Sequence, residues 1–239
     1  MGNDLDTEAG VGHELDADGV LTITLDDGDK NALTPEVFEA LIAALDADTG
    51  ARAVVLTGRP GILTAGLDIK WMASNGREGV ERLLVRFGEC LMRWWTDPRP
   101  TVCAASGHAI AAGTMLAMAC DHAVADRDGF WGLTETRIDF EIPDFGLALA
   151  RANVRTDRIE DLLLPGERIT AERAVEAGFA DVVVGSDEVM RTALERARVL
   201  MELPARAYAG TKDRLRGDAA RRVLAGLDAD IAALTTHLA

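Results

Sequence analysis

GHAIAAGTMLAMACDHAVADRDGFWGLTETRIDFEIP, residues 107–143, decides how the rest of the chain is read. Its opening run, Gly107-His108-Ala109-Ile110-Ala111-Ala112-Gly113, leaves the backbone almost bare of side chains. Thr114 to Cys120 then reads as a buried helix turn, and His122 to Ala125 as a short strand. Beyond them one acid, Glu135, stands in a weakly polar setting. The unpaired N–H groups at the start of a helix point outward and carry partial positive charge, so a bare loop entering a helix is a ready site for an anion. A carboxylate beside such a site can move protons.

The same design occurs upstream in Thr64-Ala65-Gly66-Leu67-Asp68-Ile69-Lys70, where small residues again stand directly before a helix. Two backbone N–H groups, one from each loop, can then converge on one oxygen and stabilise an enolate or other oxyanion. Small residues at these places also let helices approach a sheet closely, which is the competing structural explanation.

Around the two loops, strands and helices alternate. Gly19 to Leu25 alternates as a strand does, with His13 to Asp18 as its hairpin partner across a turn at Ala17-Asp18-Gly19. Pro35, following Thr34, opens a helix whose apolar face is Phe38, Leu41, Ile42 and Leu45. Ala53 to Gly58 and Thr101 to Ala105 are short apolar runs of the kind that form buried parallel strands. Leu83, Phe87, Leu91 and Trp94 mark a long helix that stops before Pro98. Thr170 opens another that ends at Gly178; Ala180 to Val184 is a strand, and Asp187 to Leu203 a helix stopped by Pro204. Leu224, Leu227, Ile231 and Leu234 form a last amphipathic stripe, suited either to packing on its own chain or to a subunit interface. The order is α/β with right-handed crossovers, a core over residues 1–184 and a helical C-terminal extension over residues 185–239.

Composition narrows the function. The 239 residues carry a formal net charge of −15, whereas a nucleic-acid partner needs a basic face. No apolar run reaches the roughly 18 residues that span a bilayer. The first residues, Met1 to Asp6, lack the basic start and apolar run of a secretory signal. Cys90, Cys103 and Cys120 are odd in number and have no metal-type spacing, which suits buried thiols in a reducing cytoplasm. His13, His108, His122 and His237 show no metal-site spacing, and no metal is expected. Ser106-Gly107-His108 lacks the surroundings of a serine nucleophile, and Trp94, Trp95 and Trp131 read as packing residues. Lysine is scarce: only Lys30, Lys70 and Lys212 occur, and the first two fall in or beside the loops of interest.

The run from Leu25 to about Val184 resembles the enoyl-CoA hydratase/isomerase (crotonase) family. Thr64 to Lys70 resembles its first oxyanion motif, (S/A)-A-G-A-D-(L/I)-K, and Gly107 to Asp121 its second, a glycine-rich loop followed by L-A-x-x-C-D. Asn31-Ala32-Leu33 is similar to the family's N-A-L element, Gly166 to Ala174 to its G-x-x-(I/L)-(S/T)-A-x-x-A, and Gly178-Phe179-Ala180-Asp181 to its G-L-V-D. The resemblance implies a crotonase-like spiral of ββα turns and an acyl-CoA thioester as substrate. It implies no cofactor beyond the coenzyme A of that substrate, and a homotrimer or hexamer. Carried over, the oxyanion donors are the N–H groups of Leu67 and Ala112, while Lys30, Ala32, Ala65, Asp68 and Ile69 lie along the coenzyme A path.

Departures from the family pattern bear on the reaction. Hydratases of the family use two glutamates to hold and activate water; the place of the first is Met115 here, and the second aligns with Glu135, beside Thr134. A single acid resembles the family's Δ3,Δ2-enoyl-CoA isomerases, in which one carboxylate carries a proton between two carbons. A second acid is sought among Asp139, Glu141 and Asp144, with Asp144 nearest the aspartate of the family's dienoyl-CoA isomerases. An isomerase-like enzyme is therefore expected. The alternatives are a hydratase with an atypical second acid and a catalytically weak acyl-CoA-binding protein.

Overall fold

The structure is a computed structural model that describes residues 9–47 and 50–237. In chain order its elements begin with β1 (Val11–Leu15), β2 (Val20–Leu25), α1 (Pro35–Asp46), β3 (Ala53–Gly58), β4 (Ile62–Thr64) and α2 (Ile69–Trp95). There follow β5 (Thr101–Ala105), β6 (His108–Ile110), α3 (Ala112–Ala119), β7 (His122–Asp126), β8 (Phe130–Gly132), α4 (Asp144–Asn153) and α5 (Ile159–Leu163). The chain ends in β9 (Ile169–Thr170), α6 (Ala171–Ala177), β10 (Val182–Val184), α7 (Val189–Met201), α8 (Ala205–Lys212) and α9 (Asp218–Leu234).

Two sheets result, a six-stranded one in the order β1-β2-β3-β5-β7-β10 and a four-stranded one in the order β4-β6-β8-β9. From β2 to β10 the large sheet is parallel, and β4, β6 and β8 are parallel in the small one. The chain spirals: β3 turns into β4 and α2, β5 into β6 and α3, and β7 into β8 and a 3₁₀ turn at Glu135–Ile138. Successive corners lie backbone on backbone. A Cβ on Gly107 would collide with the Gly61 carbonyl, and one on Gly129 with the Gly107 carbonyl, so no side chain fits there.

Alternation across the large sheet explains its unbroken apolar runs. Val54, Leu56, Cys103, Ala105, Ala123 and Ala125 face the main core beneath α1 and α2. Ala53, Val55, Val102, Ala104 and Val124 face the opposite way, onto Val189, Ala193, Ala197 and Leu200 of α7. Both faces are dry, and each buried Val or Leu contributes about 1.5–3 kcal/mol. Trp94, Trp95 and Trp131 are at most 2% exposed, and all three cysteines are buried free thiols.

Local differences from the sequence reading have plain causes. The first strand ends at Leu15 rather than Asp18, because Asp16 accepts hydrogen bonds from the Asp18 and Val20 N–H groups and starts the turn early. The long helix α2 starts at Ile69, with non-helical backbone at Gly76. In the last stripe Leu227 and Ile231 are buried, whereas Leu224 is 45% exposed. Leu227 packs where α2 has only Gly88: a Cβ there would lie 2.7 Å from Leu227 Cδ1 and 2.8 Å from Phe145 Cδ1. Most of the stripe therefore packs on its own chain.

A buried ionic clamp ties the C-terminal helices to the spiral. Asp121, which follows α3, lies 2.6 Å from both Lys212 Nζ and Arg216 Nη1 and accepts from the Tyr208 hydroxyl at 2.7 Å and the Thr101 N–H at 2.9 Å. Lys212, 5% exposed, also donates to the Asp97 and Arg99 carbonyls. The third lysine is thus structural. Removing one partner of such a cluster strands the other charge, at a typical cost of about 3–5 kcal/mol. Asp121→Asn is expected to lower the unfolding free energy by that amount, read in urea as a lower midpoint at unchanged m; a loss below about 1 kcal/mol would show that the clamp is not holding the helices.

Candidate active site

Three neighbouring parallel strands of the small sheet end side by side. Past its carboxyl end β4 delivers Ala65-Gly66-Leu67, β6 delivers Ala111-Ala112, and β8 delivers Leu133-Thr134-Glu135. Ligands of α/β sheets bind at such strand ends, where loops are free to vary while the sheet holds their bases. The first two loops are in close approach. A Cβ on Gly66 would lie 3.9 Å from the Ile110 carbonyl oxygen, and one on Gly113 would lie 3.0 Å from Thr64 Cγ2.

Among the described residues, neither the Leu67 nor the Ala112 N–H has a protein acceptor, whereas those of Gly66, Asp68 and Ala111 do. Gly66 N–H donates to Thr64 Oγ1 at 3.0 Å, Asp68 N–H to the Leu33 carbonyl at 3.0 Å, and Ala111 N–H to the Gly132 carbonyl at 2.8 Å. Ala112 is the first residue of α3, where helical geometry supplies no acceptor. The preceding Ala111 has φ 52° and ψ −115°, a conformation unusual for a residue with a side chain, and it turns the chain sharply into the helix.

The segment around Asn31 is stitched along the first loop. Ala65 N–H donates to the Lys30 carbonyl and Leu33 N–H to the Gly66 carbonyl, both at 2.9 Å. Asn31, itself at φ 54°, is buried and donates to the carbonyls of Leu25 and Leu63, while the Thr64 hydroxyl donates to the Asn31 carbonyl. Lys30, Ala65 and Ile69 are therefore exposed neighbours on one strip, with Ala32 and Asp68 partly buried among them. Asp68 also acts locally, because its Oδ1 accepts from the Lys70 and Trp71 N–H groups and caps α2.

Glu135 is 7% exposed and opens the 3₁₀ turn. Its Oε2 is buried without a hydrogen-bond partner among the described residues, and burial pushes its pKa up to about 7. Met115 is 1% exposed and packs toward α4, where a Cβ on Gly146 would meet its Cε at 2.8 Å and its Sδ at 3.1 Å. Thr134 is partly buried and precedes the turn; Asp139 and Glu141 are exposed. Asp144 is exposed in the first turn of α4, and its N–H donates to Asp230 Oδ2 of α9 at 2.9 Å. The buried hydroxyls of Thr64 and Thr114 did not stand out in the sequence. Their one signal there is a polar residue inside an otherwise small, apolar run.

Residues 16–238 match the enoyl-CoA hydratase/isomerase family, and the chain belongs to it. A putative enoyl-CoA hydratase of Thermus thermophilus is 36% identical over 190 residues, which span 77% of this chain and 73% of that protein. The enoyl-CoA isomerase of Mycobacterium tuberculosis superposes with a TM-score of 0.88 at 31% identity, covering 94% of this chain and 98% of that one. Human mitochondrial Δ3,Δ2-enoyl-CoA isomerase gives 0.90 at 27% identity, covering 96% and 92%. The expected crotonase-type α/β spiral and helical C-terminal part are thereby shown, and the protein is an enzyme of this family.

Glu135 also leaves a mark on stability. Below its ordinary value of 4.5 the folded and unfolded states both hold the proton, and nothing is lost. As pH rises through about 7, the folded protein comes to bear the full cost of a buried charge. Glu135→Gln is expected to stabilise the protein by on the order of 3 kcal/mol more above about pH 8 than below about pH 4, measured by urea denaturation. An equal effect at both pH values would show that the carboxyl is well solvated.

Proposed function

We propose that the enzyme shifts the double bond of a 3-enoyl-CoA thioester into the 2,3 position, with Glu135 as the single acid/base. One observation carries this: Glu135 is buried and unpartnered at Oε2, while the place of a hydratase's first glutamate holds a methionine packed against α4. Leu67 and Ala112 N–H groups hold the thioester oxygen. The Glu135 carboxylate removes a proton from C2, and the electron pair of that C–H bond moves toward the carbonyl, leaving a dienolate whose oxygen faces the two donors. As the carbonyl re-forms, a C2–C3 double bond appears, the C3–C4 double bond takes the proton from Glu135 at C4, and the carboxylate is restored. A dry carboxylate near pKa 7 suits both halves, because it neither binds nor releases the proton too tightly.

The strip of Lys30, Ala32, Ala65, Asp68 and Ile69 is assigned to the coenzyme A arm, with Met115 and Thr134 beside the acyl end. No group besides the substrate's own coenzyme A is needed. We assign a homotrimer or hexamer, for which the exposed Leu203, Leu215 and Leu224 leave apolar surface. The runner-up is hydration, with Asp139, Glu141 or Asp144 as second acid; it is favoured by the name of the Thermus relative.

Assaying both reactions decides between them. Purified enzyme is expected to isomerise 3-enoyl-CoA faster than it hydrates 2-enoyl-CoA. Glu135→Gln is expected to lose roughly 10²–10⁴ in kcat/KM. Because the base must be ionised, wild-type kcat/KM should rise about tenfold per pH unit below about 7 and level off above it. Faster hydration, or turnover unchanged in Glu135→Gln, would sink this assignment.

A further inference from the structure

We infer that Thr114 is a positioning residue whose hydroxyl sets the second oxyanion donor in register with Glu135; the inference rests on the roles proposed for Ala112 and Glu135. Thr114 is the third residue of α3 and is 0% exposed. Its Oγ1 lies 2.6 Å from the Ala109 carbonyl oxygen, 3.2 Å from that of Gly132, and accepts from the Gly132 N–H at 3.1 Å. A hydroxyl has one proton and two lone pairs, so the shorter contact takes the proton and Gly132 N–H occupies a lone pair. One oxygen thus bridges the strand that leads into Ala112 and the strand that leads into Glu135.

Gly132 is held from both sides. Its N–H goes to Thr114, and its carbonyl accepts from Ala111 N–H at 2.8 Å. Glu135 follows shortly along the chain, so the fixed point for the carboxylate is also the fixed point for the donor loop. The strained backbone of Ala111 lies inside this tie. Such conformations persist only where the surroundings over-determine them. Without the hydroxyl, the donor loop and the 3₁₀ turn keep only the Ala111–Gly132 bond and the β6–β8 pairing between them, lose the tie through Thr114, and drift by fractions of an ångström. The coenzyme A strip does not, because Asn31, Thr64 and Asp68 hold it through separate bonds. Small displacements of reacting groups cost rate steeply, while binding through a remote arm is untouched. The signature is therefore a fall in kcat at nearly constant KM.

Thr114→Val keeps the shape and removes the hydroxyl, and Thr114→Ser keeps the hydroxyl and removes the methyl. With 3-enoyl-CoA as substrate, Thr114→Val is expected to lose about 10- to 100-fold in kcat with KM within about threefold. Thr114→Ser should stay within roughly the same factor of wild type as that KM, and the affinity of saturated butyryl-CoA should be unchanged in both. A hydroxyl that only satisfied a buried amide would lower the melting temperature but leave kcat of the folded enzyme intact. That outcome overturns the inference, as does an equal loss in Thr114→Ser or a loss carried by KM alone. Should Thr114→Val not fold, Thr114→Ala carries the same comparison against Thr114→Ser. Glu135→Gln run in parallel separates the two levels. If it leaves turnover intact, the parent reading fails; if it abolishes turnover while Thr114→Val is fully active, only the role of Thr114 fails.

Discussion

Parallel pairing of β4, β6 and β8 is the constraint on which the site depends. These strands are three residues long, too short to be stable by themselves, and they exist because each is the continuation of a large-sheet strand around a glycine corner. The stacked backbones at Gly61, Gly107 and Gly129 bring successive turns of the spiral within carbonyl contact. Once the corners are in line, the three strand ends must lie in line too. The loops carrying Leu67 and Ala112 and the turn carrying Glu135 then leave neighbouring strand ends although they are far apart in sequence.

The same architecture makes Glu135 dry. Its turn follows β8 after two intervening residues, with Trp131 and Leu133 at most 1% exposed before it. A carboxyl there has little water and, at Oε2, no donor, so its proton is held to about pH 7. Stability and reactivity pull in opposite directions at this residue, a familiar pattern for groups that must exchange protons. Met115 sharpens the contrast. Buried in α3, it is a thioether that fills space against Gly146 and carries no exchangeable proton.

Not every motif residue serves the ligand. Asp68 caps α2, and Asp121 anchors Lys212, Arg216 and Tyr208 beneath the C-terminal helices. Both acids are surrounded by donors, in contrast to Glu135. In a chain with a net charge of −15, these partnered acids hold structure together, whereas Glu135 Oε2 is buried with no partner among the described residues.

Much of this was legible in the residues themselves. The alternation of apolar runs with helical stripes marks α/β order, and two small-residue loops entering helices mark the pair proposed as oxyanion donors. A methionine and a glutamate at the two acid positions that the family resemblance implies are the basis on which one carboxylate is proposed. Those features are local: periodicity, side-chain size and the presence of a titratable group belong to the sequence. The small sheet was not legible, because strands of two or three residues such as β8 and β9 show no alternation to detect. Nor was the packing of the final stripe, which depends on the gap that Gly88 leaves in a distant helix. Hydrogen bonding to Gly132, the burial of Lys212 and the missing partner of Glu135 Oε2 are likewise properties of what lies nearby in space. Sequence sets which groups exist and which backbone they ride on. Only tertiary structure sets which of them are dry, paired or left open.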